Sequence, residues 1–154
     1  MRLLPLHAAP QHVPALARRH QPQWQAAHPG MTLAAWEAEF ARHADARQPL
    51  PTTLLALDDD GSLLGSASLV ADDMDGAAPW SPWLANVLVT EAARGRGIGQ
   101  ALIDGVIAEA RALGFAKVFL FTEDQQDFYA RRGWTLLEER DHHGHRVCVM
   151  CRAT

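Results

Sequence analysis

Hydrophobic and polar residues follow two different periods along this chain, and the change of period marks its elements. From Ile98 to Leu113 the apolar positions recur at helical spacing, which is typical of a helix that buries one face. The run from Trp83 to Val89 is instead short and apolar throughout, which is typical of a central strand covered on both faces. The stripe that the helix is expected to bury consists of Ile98, Leu102, Ile103, Val106, Ile107, Ala110 and Leu113.

The same pattern predicts eleven elements along the whole chain. They are a strand over 2–6, helices over 13–28 and 32–46, strands over 52–57, 62–71 and 83–89, a helix from 98, a strand over 117–121, a helix over 124–132, and strands over 134–139 and 146–152. Thr32 is the expected N-cap of the second helix, and Gly114 the expected C-terminal cap of the third. This order predicts an α/β fold (mixed α+β), with about seven strands in a central mixed sheet and about four flanking helices.

Composition and charge narrow the class of protein. The chain has 154 residues, which suits a single domain over 1–154. Lys and Arg total 14 against 18 Asp and Glu, a net charge of −4, whereas nucleic-acid-binding domains usually carry a basic surplus. No apolar run reaches the roughly 18 residues of a membrane helix. We therefore expect no nucleic acid and no membrane as partner, and the two cysteines favour a reducing, cytoplasmic location.

A glycine-rich turn joins the predicted strand over 83–89 to the helix that begins at Ile98. It reads Arg94-Gly95-Arg96-Gly97-Ile98-Gly99-Gln100. Glycines let backbone N–H groups approach an anion without clashes from Cβ atoms, and a helix N-terminus adds partial positive charge. With two arginines beside them, these groups suit a pyrophosphate.

Three phosphate-binding patterns compete for this turn. The Walker pattern requires GK[ST] at the end of the turn, which the chain lacks. The dinucleotide pattern G-x-G-x-x-G requires glycine where the chain has Gln100, and the acid expected about 20 residues later is missing. The pattern that fits is Arg-x-x-Gly-x-Gly, formed by Arg94, Gly97 and Gly99. An ordinary loop with capping glycines is the alternative.

This hexapeptide resembles the coenzyme A signature of the GNAT family of N-acetyltransferases, [RQ]-x-x-G-x-[GA]. Further along, residues 128–134, FYARRGW, are similar to the family's F-Y-x-x-x-G-[FW] segment. The predicted element order is also that of the family, almost from end to end. The resemblance implies a GNAT-like acyl-CoA N-acyltransferase fold, with acetyl-CoA as co-substrate.

The resemblance also implies which residues hold the coenzyme. The family splays its central strand from a neighbour so that the strand's backbone pairs with the pantetheine arm, and a backbone N–H faces the thioester oxygen. By position, that N–H lies near Leu88. The residues implied for coenzyme binding are Val87, Leu88, Val89, Arg94, Gly95, Arg96, Gly97, Ile98, Gly99 and Gln100, with Thr122 or Gln125 in place of an asparagine that many members carry.

Tyr129, the single tyrosine of the chain, lies where many members of the family place a general acid. A phenol with a pKa of about 10 is protonated at neutral pH and can donate to a departing thiolate, whose thiol has a pKa of about 8.5. The alternative is that its ring only packs under the sheet. The candidates for a general base are Glu123, Asp124, Asp72 and Asp73, each of which could equally be a solvated loop acid.

A zinc site is an alternative use of the residues near the C-terminus, where His142, His143 and His145 precede Cys148 and Cys151. The two cysteines are three residues apart in a predicted strand, so their side chains point to opposite faces. We therefore expect no metal.

The sequence thus predicts an N-acetyltransferase that moves an acetyl group from acetyl-CoA to a primary amine of a small molecule or of a peptide or protein N-terminus. Neither cysteine lies in the motifs above, which favours direct attack by the amine in a ternary complex. Two alternatives stay open: a non-catalytic, regulatory coenzyme A-binding module, and an acyltransferase that uses a longer acyl chain. Because family members often pair, a homodimer is among the expected states.

Overall fold

The computed structural model describes residues 1–77 and 79–154. Within them, seven strands and four α-helices follow one another in the order that the sequence predicts, joined by three short 3-10 helices. The strands are β1 (Arg2–Pro5), β2 (Thr52–Leu57), β3 (Leu63–Val70), β4 (Trp83–Val89), β5 (Lys117–Thr122), β6 (Thr135–His142) and β7 (His145–Ala153), and the helices are α1 (Val13–Gln23), α2 (Leu33–His43), α3 (Ile98–Ala112) and α4 (Gln126–Ala130). No helix in the described residues is long and apolar enough to cross a membrane.

All of these strands belong to one mixed sheet, in the order β1-β2-β3-β4-β5-β7-β6. Every neighbouring pair is antiparallel except β4 and β5, which run parallel. A parallel pair needs a crossover connection, and α3 supplies it. β4 is the middle strand, as its apolar run predicts, and the mixed α/β fold class is confirmed.

Helices cover both faces of the sheet because side chains along a strand alternate between faces. In β2, Leu54 and Ala56 pack in the cluster that contains the buried stripe of α3. The intervening Leu55 and Leu57 pack instead with apolar side chains of α1 and α2. The sheet therefore separates α3 from the pair formed by α1 and α2.

The helix α3 buries the stripe that its spacing predicts, with one exception. Ile98, Leu102, Ile103, Val106, Ile107 and Ala110 are each no more than 4% exposed. Leu113 is 37% exposed, and its predicted place in the core is wrong. The helix ends before it at Ala112, and Gly114 takes a φ of +89°, which turns the chain away.

The helix α1 is shorter than the sequence predicts, whereas the start of α2 is as expected. α1 ends at Gln23 rather than at residue 28, and it contains Pro22 in its last turn. α2 begins after Thr32, whose hydroxyl accepts a hydrogen bond from the Ala35 N–H at 3.1 Å.

The helix α4 is also shorter than predicted, with Gln126–Ala130 in place of 124–132. The Thr122 hydroxyl accepts a hydrogen bond from the Gln125 N–H at 3.0 Å, which holds residues 122–125 in a turn. This local bond competes with helix formation and delays the start of α4. Its C-terminal neighbour β6 runs to His142 instead of ending at 139.

The parallel strands β4 and β5 share a single pair of facing residues. Trp83 faces Phe119, and the Phe119 N–H donates to the Pro82 carbonyl at 2.9 Å. Beyond this point no further residues of the two strands face each other, although β4 continues to Val89 and β5 to Thr122. The sheet therefore opens along its parallel junction.

On its other side, toward β3, the strand β4 carries a bulge. Ser66 faces Leu88 and Ser68 faces Ala85, so two residues of β4, Asn86 and Val87, lie opposite one residue of β3. Asn86 has a φ of +54°, in the left-handed region that residues other than glycine rarely adopt. The bulge thus bends β4 in the part of the strand that no longer pairs with β5.

Candidate functional site

The glycine-rich turn connects the open end of β4 to α3. A short 3-10 helix, Glu91–Ala93, leads to Arg94, after which Gly95 and Gly97 both take a φ of +77°. Gly97 is the N-cap of α3. Side chains at these two positions would be strained by the backbone angle, although no atom within 4 Å would obstruct a Cβ. The shape of the turn therefore depends on glycine.

Backbone N–H groups are left without acceptors along this turn. From 95 to 100 none of them finds an acceptor among the described residues, and the first hydrogen bond runs from the Ala101 N–H to the Gly97 carbonyl at 3.1 Å. The side chains of Arg94 and Arg96 are exposed and form no ion pair within the described chain. Together with the positive end of α3, these donors and charges form a place suited to an anion.

A cavity of about 390 Å³ occupies the opening between β4 and β5. Residues 84–87 line it from β4 and residues 120–122 from β5. Val87 is therefore in its wall. The predicted Leu88 and Val89 are not among the lining residues, and the Leu88 side chain is buried. The part of β4 that lines the opening thus includes the bulge. We name this cavity the slot.

Tyr129 lines the slot from α4. Its ring packs edge-on against Phe128 and Trp134, with 5.1 Å and 5.8 Å between ring centroids. Burial raises the pKa of its phenol, against a smaller opposing effect of Arg132. The phenol is therefore protonated at neutral pH and able to donate a proton, while its ring also serves the packing role.

Of the residues 122–125 at the end of β5, all but Gln125 line the slot. Thr122 lines the slot, but its hydroxyl already accepts the Gln125 N–H, and Gln125 itself is exposed outside the slot. Glu123 and Asp124 line the slot as exposed residues, and Glu123 forms an ion pair of 2.6 Å with His145.

A second cavity of about 450 Å³ adjoins the slot. Trp36 and Glu39 line it from α2, and residues 70–73 line it from the end of β3 and the loop that follows. His28, Asp73 and Asn86 line both cavities. Because these three residues are common to both, the second cavity is a chamber beside the bulge of β4; we name it the side chamber.

Among the four acids that the sequence offers as a base, Asp73 alone lines both cavities. It is partly buried, and burial raises the pKa of its carboxyl from 3.8 to about 7. Its neighbour Asp72 is exposed and lines the side chamber only. A carboxyl that titrates near neutral pH at the junction of two cavities can hold and release a proton.

The histidines and cysteines near the C-terminus lie at several separate places in the structure. The three histidines of the β6–β7 turn line the outer part of the slot. The Cys148 thiol donates to the Gln126 Oε1 atom at 3.2 Å, and Cys151 packs in the hydrophobic cluster around Trp83. Within the described residues, no group of three or more His, Cys, Asp or Glu side chains is arranged to hold a metal.

Two residues shared by the cavities, His28 and Asn86, are absent from the sequence-based candidates. For Asn86 a signal exists: it is the one polar residue in the strand WLANVLV, and asparagine tolerates a positive φ better than most residues. For His28 no signal exists, since it falls in a segment that the pattern assigns to a helix.

The sequence is similar to those of known proteins. The family model described as "Acetyltransferase (GNAT) family" matches residues 13–134. A mouse (Mus musculus) protein, N-alpha-acetyltransferase 80, is 45% identical over 60 residues, which make up 39% of this chain and 19% of that relative. The match thus spans about a fifth of the curated relative.

Solved structures resemble the fold over nearly its whole length. Aminoglycoside 6′-acetyltransferase type Ii has a TM-score of 0.77 over 99% of this chain and 97% of that chain, at 15% identity. N-acetylglutamate synthase from Neisseria gonorrhoeae, complexed with coenzyme A and N-acetyl-glutamate, has a TM-score of 0.66 over 99% of this chain and 35% of that chain, at 19% identity. Because the family model matches residues 13–134, which is more than half of the sequence, the chain belongs to the GNAT acetyltransferase family.

The raised pKa of Asp73 predicts a specific dependence of stability on pH. An unfolded Asp releases its proton near pH 3.8, whereas the folded carboxyl holds it to about pH 7. Between these values the native state binds more protons than the unfolded state, so the free energy of unfolding falls as the pH rises. The Asp73→Asn variant has no carboxyl to titrate. Its free energy of unfolding should therefore rise relative to that of the parent between about pH 4 and pH 7. Urea unfolding across that range measures it, and parallel curves for the two proteins would contradict the raised pKa.

Proposed function

We propose that the protein transfers the acetyl group of acetyl-CoA to a primary amine, with an α-amine of a small molecule or of a peptide or protein N-terminus as acceptor, by direct attack in a ternary complex. The observation that carries the proposal is the divergence of β4 from β5, with the glycine-rich turn at the open end of β4. Membership of the GNAT acetyltransferase family supports the same chemistry.

The slot fits the pantetheine arm of a coenzyme because one edge of β4 is unpaired. Past the pair of Trp83 and Phe119, no residue of β4 faces a residue of β5. Buried backbone groups require hydrogen-bond partners, and the amides of a pantetheine arm can supply them. In this proposal the backbone of Val87, Leu88 and Val89 faces that arm, and of the three only Val87 also lines the slot.

The turn at the end of β4 fits the diphosphate of the same molecule. The N–H groups of Gly95 to Gln100 donate to its oxygens, and Arg94 and Arg96 add charge from the side. Where the bound substrate excludes water, a preorganised backbone donor at the thioester oxygen is worth ~3–4 kcal/mol. Coenzyme A thus bridges the turn and the slot.

Asp73 is the proposed general base, because it lies where the slot meets the side chamber. An α-amine has a pKa of about 8 and a lysine amine one of about 10.4. Proton transfer to a carboxyl whose pKa is about 7 is uphill by ~1 unit from the former and by ~3 units from the latter. The difference of roughly 3 kcal/mol favours an α-amine. The N-alpha name of the mouse relative supports the same acceptor class.

In the proposed reaction, Asp73 first takes a proton from the acceptor ammonium. The freed nitrogen lone pair forms the new N–C bond while the C–S bond of the thioester breaks, and Tyr129 gives its phenolic proton to the departing sulfur. The second proton of the nitrogen returns to Tyr129 through water, and Asp73 releases its own to solvent. The products are an amide, a thiol and one proton.

An amine panel tests the proposal most directly. With acetyl-CoA present, thiol release should appear with a peptide that has a free N-terminus. The kcat/KM should be at least about tenfold lower for the matched Nα-blocked peptide that offers a single lysine amine. Bound coenzyme A without thiol release from any amine would contradict catalysis, and a faster reaction with the lysine amine would contradict the acceptor class.

The Tyr129→Phe variant tests the acid. It keeps the ring packing against Phe128 and Trp134 and removes only the hydroxyl. We expect kcat to fall by at least about tenfold while the KM for acetyl-CoA changes little, because the proton is donated only in the transition state. An unchanged kcat under conditions where chemistry limits the rate would leave Tyr129 a packing residue.

A further inference from the structure

The side chamber is a second space at the reaction centre, and the proposed chemistry uses only its junction with the slot. Its volume is about 450 Å³, within the range of roughly 300–1,000 Å³ that is typical of small-molecule pockets. Asp73, the proposed base, lies at that junction together with His28 and Asn86. A group attached next to the acceptor nitrogen can therefore enter the side chamber while the nitrogen stays beside Asp73.

The lining of the side chamber is polar at the junction and mostly apolar elsewhere. The residues that it shares with the slot are all polar, whereas most of those that line it alone are apolar. The apolar residues that line it alone are Met31, Trp36, Leu50, Pro51, Val70 and Ala71. Met31, Leu50 and Pro51 are only partly buried, so they leave apolar surface that a ligand can cover. Because burial of such surface is favourable, this part of the chamber suits an apolar group.

The charged side chains on the same lining are paired with each other or exposed to solvent. The Arg42 guanidinium donates to one carboxylate oxygen of Glu39 at 2.6 Å, and the other oxygen lies 3.2 Å from Nε2 of the buried His43. The Arg42 side chain is 64% exposed, and Asp72 is exposed as well. The carboxylates of Asp72 and Asp73 would repel an acidic group. The chamber therefore favours an apolar occupant over a negatively charged one.

Trp36 gives the apolar part of the chamber a rigid wall. Its ring is stacked on Phe40 with 6.0 Å between centroids, and it meets the ring of His28 edge-on at 6.2 Å. The Met31 N–H donates to the His28 carbonyl at 3.0 Å, which holds the connection between α1 and α2 in a turn. A wall that is already ordered costs little conformational entropy when a ligand binds.

The α-carbon of an acceptor carries two groups besides the amine, a side chain and a carbonyl group. In a peptide acceptor the carbonyl group continues as the main chain, whose amides require hydrogen-bond partners. The outer part of the slot, lined by His142, His143 and His145, offers such partners. Outside the junction, the side chamber offers mostly apolar contacts. The side chain is therefore the group that fits the side chamber.

We propose that the side chamber binds the side chain next to the α-amine, so that the enzyme prefers acceptors whose first residue is large and apolar, such as leucine or phenylalanine. The inference rests on the proposed function for the place of the amine beside Asp73. The binding of an apolar side chain in the chamber does not itself depend on catalysis. A small-molecule acceptor would place its apolar substituent in the same space.

Lysine-free peptides that differ only in their first residue test the preference. The kcat/KM with acetyl-CoA should be at least about tenfold higher for phenylalanine or leucine than for glycine, because even one methylene in a hydrophobic pocket changes kcat/KM by roughly tenfold or more. Aspartate at the same position should give the lowest value. Equal values for glycine and phenylalanine, or a preference for aspartate, would overturn the proposal.

Two exposed alanines provide a matched pair of variants. Ala71 lines the side chamber alone and Ala27 lines the slot alone, and both are exposed enough to accept a larger side chain. In Ala71→Trp the added ring occupies the chamber, so the kcat/KM ratio of the phenylalanine peptide to the glycine peptide should fall at least about fivefold. In Ala27→Trp that ratio should stay within about twofold of the parent's. An unchanged ratio in Ala71→Trp, or an equal fall in both variants, would overturn the proposal.

A binding measurement on the parent protein does not depend on turnover. Met31 lines the side chamber, whereas Met74 and Met150 line neither cavity. In a sample with ¹³C-methyl methionine and saturating coenzyme A, the phenylalanine peptide should move the Met31 signal, and the glycine peptide should move it much less. The Met74 and Met150 signals should stay in place. A Met31 signal that the phenylalanine peptide leaves unmoved would overturn the proposal. Absence of thiol release from every amine would instead contradict the proposed function, while Met31 would still report on the chamber.

Discussion

The separation of β4 from β5 is the constraint on which the rest of the site depends. The two strands are held together at Trp83 and Phe119, where rings and backbone both make contact. Past that pair, β4 gives up the hydrogen bonds that a parallel neighbour would provide, although it is the middle strand of the sheet. A buried strand edge without partners is unfavourable unless something else supplies them. In the slot, backbone N–H and C=O groups of β4 are thus left without a partner strand. An extended ligand that has amides of its own can form hydrogen bonds with them.

Several features of the chain keep that opening in place. The antiparallel pairing of β4 with β3 continues beyond Trp83 on the opposite side, so β4 stays in the sheet after it leaves β5. The buried stripe of α3 packs against the same strands and fixes the direction in which the glycine-rich turn leads away. The bulge at Asn86, the turn at Gly97 and the start of α3 therefore follow one another along the chain. The N–H groups without acceptors in the turn are consecutive in sequence.

Much of the fold was predictable because its signals are local. The stripe of α3, the apolar run of β4 and the glycines of the turn each depend on short stretches of sequence, and the order of elements followed from them. The predicted start of α4 was wrong because the Thr122 hydroxyl binds the Gln125 N–H, and the predicted end of α1 was wrong because periodicity does not show where a helix stops. Leu113 was assigned to the core since periodicity does not show where a helix stops.

The site was less predictable than the fold, for a different physical reason. Four acids were equivalent in the sequence, and only the arrangement of two cavities distinguishes Asp73 from its exposed neighbour Asp72. The roles of Val87 and of the arginines followed from position in a motif, and they remain predictions. His28 and Asn86 line the same two cavities although they lie far apart in the chain, so no local pattern could have indicated that they meet.

The N–H groups of the glycine-rich turn are proposed to bind the diphosphate of coenzyme A, and glycine resonances report on these groups directly. In a ¹⁵N-labelled sample titrated with coenzyme A and, separately, with pantetheine, the amide signals of Gly95, Gly97 and Gly99 should move with coenzyme A and much less with pantetheine, which lacks the phosphates. Gly61 and Gly114, which line neither cavity, serve as controls. Saturable binding of coenzyme A that leaves the three turn glycines unmoved would contradict the account.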